Sequence, residues 1–311
     1  LEQALKTVNL ARQRPLVSII IPVYNDADRL KQCLQKLSNQ TYAPCEVIVV
    51  DNGSACLDEV SAVVKSCAIA TLICESTAGS YAARNRGIAS AQGEILAFTD
   101  ADCLPAPDWI EQGVAQLQSN IHCGLVAGAI QIVTRNLEHP VELYESVMGL
   151  SQQKFVEQDH FGATANLFTW PHVFERVGQF NPALKSNGDR DWGQRVFAAG
   201  YSQIYASSAI VEHPARHSFA QLSRQASRHA GGFYDLHCRQ KQGAWAQNLA
   251  YFKLLGFHLM PPVMFALSMA HHPQLKTLTQ KAKVVFTLSY VRLIIVKSLL
   301  QLKLGGVSER E

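Results

Sequence analysis

The sequence predicts an α/β chain: a mostly parallel central sheet flanked by helices, followed by a helical, apolar and basic C-terminal extension. Three observations carry this expectation. The runs LVSIIIPV, EVIVV and EILAF are short, continuous and apolar, as in strands buried on both faces, and helical patterns separate them. Polar turns close the first two runs and an Asp-rich turn closes the third. The last eighty or so residues then change to long apolar stretches carrying Lys and Arg.

Composition narrows the class. Hydrophobic residues make up 48% of the 311 and charged ones 17%, against about 25% in ordinary globular domains, which excludes a disordered chain. Lys and Arg number 28 against 25 Asp and Glu, and no basic block is present, so a nucleic-acid partner is not expected. The eight cysteines stand singly, without a CxxC pair or zinc-ligand spacing, as buried thiols do in a cytoplasmic protein. The N-terminal stretch LEQALKTVNLARQRP has no apolar signal core.

Taken in order, Leu16–Val23 opens the sheet, and a helix follows from Asp28, its expected N-cap, through Leu30, Cys33, Leu34 and Leu37. Residues 46–50 form a strand ending in the turn Asp51-Asn52-Gly53-Ser54. A second helix leads to a strand at Thr71–Cys74, and a third, Ser80 to Ala91, to the strand 94–98. Ligands of such sheets bind beyond the carboxyl ends of the strands, here Pro22–Asp26, Asp51–Ser54 and Thr99–Cys103. Pro107 to Val133 reads as a helix and an alternating strand. Further on, 139–151 reads as a helix, 161–169 as a strand, Pro171–Val177 as a helix with proline in its first turn, 191–199 as a helix and Tyr201–Tyr205 as a strand.

In the extension, Leu249–Met269 is apolar but broken by Pro261-Pro262, and Val284–Leu302 carries Arg292 and Lys297. Both features disfavour a spanning helix, which needs about 20 largely uncharged residues. After Phe219 twelve cations face only Asp235, Glu309 and Glu311. Helices lying in an anionic membrane surface fit this pattern, and a buried helical subdomain is the other reading.

The turn Pro22-Val23-Tyr24-Asn25-Asp26 contains no glycine, so neither a dinucleotide fingerprint nor a phosphate loop is available there. Phosphate charge must be met another way, and a metal held by Asp100 and Asp102 is the candidate. VSIIIPVYND, EVIVVDNGS, AARNRG, ILAFTDADC, GDRDW and VEHPAR then follow in the order and spacing of the inverting glycosyltransferases of family 2, which residues 15 to about 230 resemble.

The resemblance implies the GT-A fold, Rossmann-like in its sheet, with a donor-binding half at 1–105 and an acceptor-binding and catalytic half at 106–230; the extension at 231–311 lies outside it. It implies a nucleotide-sugar donor, by family habit a UDP-sugar, and a glycan or lipid-linked acceptor. Asp100-Ala101-Asp102 matches the family's DxD signature, with Asp102 as main metal ligand and Asp100 toward ribose or metal-bound water. Oxygen ligands suit Mg²⁺ or Mn²⁺, and His213, matching a further metal or diphosphate ligand, favours Mn²⁺. Asp51 matches a carboxylate that receives the base; Pro22, Tyr24 and Asn25 lie beside it, and Arg84 matches an arginine near base or phosphates. Asp189 aligns with the general base. Asp191 is the alternative base or a helix cap, and Gly188 replaces a glutamate found in many relatives. Asn166 and Trp170 fall in the acceptor-side stretch, although Trp170 suits a core equally. Arg216, His217 and Arg224 face either diphosphate or lipid phosphates. A peripheral enzyme on the inner membrane face is the expectation. A non-catalytic binding protein of the same fold is the alternative, and it would be expected to lack Asp102, Asp189 or His213.

Overall fold

The computed structural model describes residues 14–239 and 241–307; residues 1–13 of the N-terminal stretch, and Glu309, Arg310 and Glu311, lie outside the described residues. Strands β1 (Val17–Val23), β2 (Cys45–Asp51), β3 (Ala70–Cys74) and β4 (Ile95–Thr99) pair in parallel in the order β3-β2-β1-β4. Alternation along β1 feeds two cores. Val17, Ile19, Ile21 and Val23 pack under α1 (Ala27–Leu37), α2 (Leu57–Lys65) and α4 (Trp109–Gln118). Ile20 and Phe98 turn to the other face, under α3 (Ser80–Ser90) and α8 (Gly188–Ala198). Helix α1 buries Leu30, Cys33, Leu34 and Leu37, the expected apolar stripe. Its N-cap is Asp26 rather than Asp28, which sits in the first turn where a carboxylate complements the helix dipole.

Beyond β4 the sheet turns mixed. β7 (Asn166–Thr169) runs antiparallel to β4, and β6 (Cys123–Val133), β8 (Ser202–Pro214) and β5 (Leu104–Pro105) complete an eight-stranded sheet. The helix expected over 139–151 is α5 (Pro140–Met148), ended where Gly149 turns the chain at φ +39, and a further helix that the sequence pattern does not predict, α6 (Gln152–Asp159), follows it. β7 is shorter than 161–169. After α7 (Pro171–Val177), α8 begins at Gly188, so Asp189 and Asp191 both lie in its first turn.

Strand β8 runs thirteen residues, well past Tyr205. Its register jumps from Gly128↔Ala206 to Ala129↔Ile210, so residues between bulge out and the apolar alternation breaks. The bulge lets β8 continue to His213 and Pro214.

The boundary at 230 falls inside α9 (Phe219–Tyr234), which a short π turn, Asp235–Arg239, extends. Then come α10 (Ala244–Leu259), α11 (Val263–Ala270) and α12 (Leu278–Lys303). Leu222 of α9 joins a cluster with Val141, Val284 and Leu288, while Ala226 and Ala230 join Tyr251, Ile295 and Leu299. One face of the extension is therefore packed on the domain.

Candidate active site

The carboxyl ends of β1, β2 and β4 meet as expected. Asn25, at φ 51, receives the Ala55 N–H on its side-chain oxygen at 2.8 Å and sends its own N–H to Ser54 Oγ at 2.8 Å, tying two turns together. Tyr24 stands exposed beside Pro22. Asp51 is buried, and its Oδ2 accepts from the N–H groups of Gly53 and Ser54 at 3.0 and 3.1 Å. Its Oδ1, equally buried, has no protein partner. An unpaired buried carboxylate oxygen is costly, and one N–H from a ligand would satisfy it. A shallow cavity beside Asn25 is lined by Asp26, Asp28 and Glu59, carboxylates that disfavour phosphate.

The DxD turn is built by β5. Its two residues pair with Val211 and Glu212 of β8, and this clamp draws the turn against His213. His213 Nε2 lies 3.8 Å from Asp102 Oδ2. Its Nδ1 is 2.9 Å from the Pro214 carbonyl and donates to it, which fixes the ring with Nε2 toward Asp102. Ligand atoms of Asp102, Cys103 and His213 lie within 4.8 Å of one another. Burial, then the charges of Asp102 and Asp100, push the Cys103 thiol well up, so it remains protonated beside Asp102 Oδ1 at 3.8 Å. A carboxylate beside an imidazole whose Nδ1 is fixed by a carbonyl is a donor set that suits Mn²⁺. Ala101 is buried in the core and contributes backbone only.

Three side chains join this site that sequence patterns had not singled out. Arg29 of α1 bridges Asp26 at 2.7 Å and Asp102 at 3.4 Å. Tyr81 of α3 donates its hydroxyl to Asp189 Oδ1 at 3.2 Å. Arg228 of α9 lies within electrostatic reach of Tyr81, Asp100 and Arg84; burial, then Arg216, lowers its pKa. Arg29 and Tyr81 fall in no sequence motif, and Arg228 is one of the twelve cations after Phe219, so only tertiary packing reveals what they face.

Arg84 is buried and ion-pairs Asp100 Oδ1 at 2.5 Å, whereas Arg86 points outward. Asp189 keeps a partial opening to the cleft but is otherwise enclosed by protein. That enclosure raises its pKa, outweighing the Arg84 charge, the Arg190 N–H, the Tyr81 hydroxyl and the Thr164 N–H. Gly188 explains itself here: a Cβ would meet the Tyr81 ring at 2.7 Å, so a larger residue would displace the tyrosine that reaches Asp189.

Asp191 is occupied elsewhere. It pairs with Arg195 at 3.1 Å, and Arg195 also donates to carbonyls of Val177, Gly178 and Gln179. Asn166 is fully buried rather than placed for an acceptor: it accepts from Trp109 Nε1 at 2.8 Å and donates to the Ala129 and Ala209 carbonyls at 2.9 Å. Trp170 packs against both cores. The antiparallel register Thr99↔Asn166 and Leu96↔Thr169 puts it at the end of β4 away from Asp100. What this segment does bring to the site is the backbone of Thr164. Arg216 pairs with Glu145 at 2.8 Å, while His217 and Arg224 are exposed.

Comparisons with known proteins bear on the family and the fold. The profile of Glycosyl transferase family 2 matches residues 18–175. Glycosyltransferase AglE of Haloferax volcanii is 38% identical over 221 residues, covering 69% of this chain and 71% of that protein. The pre-mycofactocin glycosyltransferase of Mycobacterium tuberculosis is 30% identical over 208 residues, 64% of this chain but only 43% of its own length. Among solved structures, the mannosyltransferase PcManGT of Pyrobaculum calidifontis, in complex with GDP-Man and Mn²⁺, superposes with a TM-score of 0.62 at 22% identity over 93% of this chain and 87% of that one. S. aureus TarS 1–349, in complex with UDP, does so with a TM-score of 0.54 at 16% identity over 93% and 91%. The mixed sheet and flanking helices are a GT-A fold of the glycosyltransferase class. The chain belongs to Glycosyl transferase family 2.

Proposed function

We propose that this glycosyltransferase is inverting, moves a sugar from a UDP-sugar to a glycan or lipid-linked acceptor with assistance from Mn²⁺, and uses Asp189 as general base. The observation that carries the reading is Arg84. It ion-pairs Asp100 and its charge acts on Asp189, so the DxD carboxylates and the base carboxylate share one cleft. Asp102 and His213 would hold the ion, with Asp100 beside them; when bound it supplies positive charge to the departing nucleoside diphosphate. Asp189 takes the proton of the acceptor hydroxyl as that oxygen bonds to the anomeric carbon and the bond to the diphosphate breaks on the opposite face. Arg195 holds Asp191 away, which leaves one carboxylate on that turn for the acceptor side and favours direct displacement.

The uracil preference rests on Asp51. With Oδ2 taken by two backbone N–H groups, Oδ1 offers acceptance to a single donor, such as uracil N3–H. Guanine presents two adjacent donors and would compete for Oδ2. The GDP-Man bound by the Pyrobaculum neighbour makes a GDP-sugar the second reading. We place the enzyme at the cytoplasmic membrane face, in keeping with eight free cysteines and a basic, apolar extension.

Calorimetric titration of UDP and of GDP, each with Mn²⁺ and then with EDTA, tests the donor site. UDP should bind with Mn²⁺, and binding should vanish with EDTA and in Asp102→Ala. Binding of GDP alone would overturn the base assignment, and silence from both would overturn the donor site. The anomeric configuration of the product, read by NMR, tests inversion.

A further inference from the structure

The packed extension leaves its outer face bare. Helix α12 buries Val284, Leu288, Ile295, Leu299 and Leu302 against the domain. Phe286, Leu293 and Leu300, all exposed, recur every seventh residue on the opposite side of the same helix. Pro261-Pro262 separates α10 from α11, whose axes bend by 42°. The elbow exposes Leu259, Met260, Val263, Met264 and Leu267, and Trp245 at the far end of α10 is 77% exposed. Contiguous apolar surface of this kind marks an interaction site.

The cations of this region divide into two sets. Arg292 donates to the Met260 carbonyl at 2.7 Å and lies over the Phe257 ring at 5.2 Å, serving the backbone that the proline break leaves unpaired. Lys281 reaches the Ala270 carbonyl, Lys303 the Asn248 side chain, and Lys283 pairs with Glu138 at 3.0 Å. These four charges are turned onto the protein. Lys253, Lys276 and Lys297 remain exposed beside the apolar face. Among the described residues after Phe219, the acidic one is Asp235, already paired with Arg239 at 3.1 Å.

An apolar face rimmed by lysines without opposing acids fits an anionic bilayer. A second copy of the same face would set lysine against lysine. Helix α12 is long and apolar enough to cross a membrane. Its tether to Glu138, the Thr287 hydroxyl donating to the Pro140 carbonyl, and its buried face instead hold it along the catalytic domain. Helix α9 joins this surface to the cleft: Ser223 and Ser227 hydrogen-bond Tyr290 and Ser298 of α12 at 2.6 and 3.0 Å, and Arg228 lies within electrostatic reach of Asp100 and Arg84.

We propose that the α10–α11 elbow and the Phe286–Leu293–Leu300 stripe form a one-leaflet docking surface for anionic membrane, with Met260–Met264 inserted deepest and α12 lying in the membrane plane. This deepens the reading of a lipid-linked acceptor given above, because the headgroups then meet α12, which packs on α9, the helix that carries Arg228 to the cleft. Its test does not depend on catalysis.

The full chain is floated with phosphatidylcholine vesicles, with and without phosphatidylglycerol, alongside the double variant Met264→Glu/Leu267→Glu. Ile121→Glu, at an apolar position 91% exposed in the α4–β6 connection, is the control. The wild type and control should float with anionic vesicles, and the double variant about tenfold less or worse, while all three melt alike, which certifies the fold. A wild type that stays out of the floated fraction, or a double variant that floats equally, overturns the surface. A wild-type dimer in light scattering that the double variant dissociates, with no flotation, assigns the face to a second copy. Labelling of Lys276 and of Lys303 by a membrane-impermeant amine reagent should be the same outside sealed vesicles and after the vesicles are made leaky; protection of either that leakage relieves would overturn the in-plane arrangement in favour of a span.

Discussion

The Tyr81 hydroxyl donates to Asp189 Oδ1 at 3.2 Å, across a contact that exists because Gly188 carries no side chain. Burial, then the Asp189 charge, raises the Tyr81 pKa far above the phenol range, so the hydroxyl keeps the proton that it donates to Asp189. Removing a hydrogen bond from the charged form of an acid raises that acid's pKa. Tyr81→Phe should therefore move the acid limb of the kcat/KM profile upward by about one pH unit, with near-normal activity on the alkaline side. Gly188→Glu should do more damage, because it displaces the ring itself. Profiles measured on both variants would check the pair.

The raised pKa of Asp189 also links activity to stability with opposite signs. Its carboxyl holds a proton more tightly folded than unfolded, so the ionised group opposes folding above its folded pKa. That penalty is relieved as pH falls through that value. Asp189→Asn should then lower turnover by about 10²–10⁴-fold, the usual range for a lost general base, while raising Tm at neutral pH. A gain of about 1 kcal/mol corresponds to about 2–4 °C. A pH series of melting curves should show the advantage shrinking toward acid.

Metal affinity should depend on both residues that the β5 clamp brings together. His213→Ala removes the imidazole facing Asp102 and should weaken Mn²⁺-dependent nucleotide binding by about tenfold or more, since even indirect changes at metal sites cost about 10–100-fold. Asp102→Ala should abolish the metal dependence. Titrating Mn²⁺ at fixed nucleotide, with EDTA as baseline, separates the two outcomes.

The donor base should respond to Asp51→Asn. In the variant the amide must turn its NH₂ either toward the Gly53 and Ser54 donors or toward the base, and both arrangements oppose two donors. UDP affinity should fall about tenfold, corresponding to loss of a hydrogen bond to a charged acceptor. Uridine diphosphate titrated against wild type and variant would measure it.

Asp51, Asp100 and Asp102 were legible in the sequence because a parallel strand delivers the residue at its carboxyl end to the ligand side whatever the rest of the chain does. His213 was legible as a motif, but its route to Asp102 was not. The bulge in β8 breaks the alternation that sequence periodicity reads, and β5 is only two residues long. Tyr81 and Arg228 were missed because an apolar ring and a helix cation carry no signature of what they will face. Trp170 shows the converse. The sequence suits it to an acceptor side and to a core equally, and the antiparallel pairing of β7 with β4, invisible in a strand's own pattern, puts it at the end of β4 away from Asp100.

Asn166 gives the last expectation, and it follows from that same bulge. Where β6 and β8 change register, the carbonyls of Ala129 and Ala209 lose their ladder partners, and the Asn166 amide donates to both. Its oxygen accepts from Trp109, and Gly128 makes room, since a Cβ there would meet Asn166 Oδ1 at 2.4 Å. Asn166→Ala leaves one buried donor and two buried acceptors unmet, at about 1–3 kcal/mol each if no water enters. The variant should melt several degrees lower, and its Mn²⁺ affinity should fall because β8 beyond the bulge carries His213. Acceptor KM should stay unchanged in whatever fraction remains folded, since the side chain never reaches the cleft. A selective rise in acceptor KM at constant Tm would return Asn166 to the acceptor site.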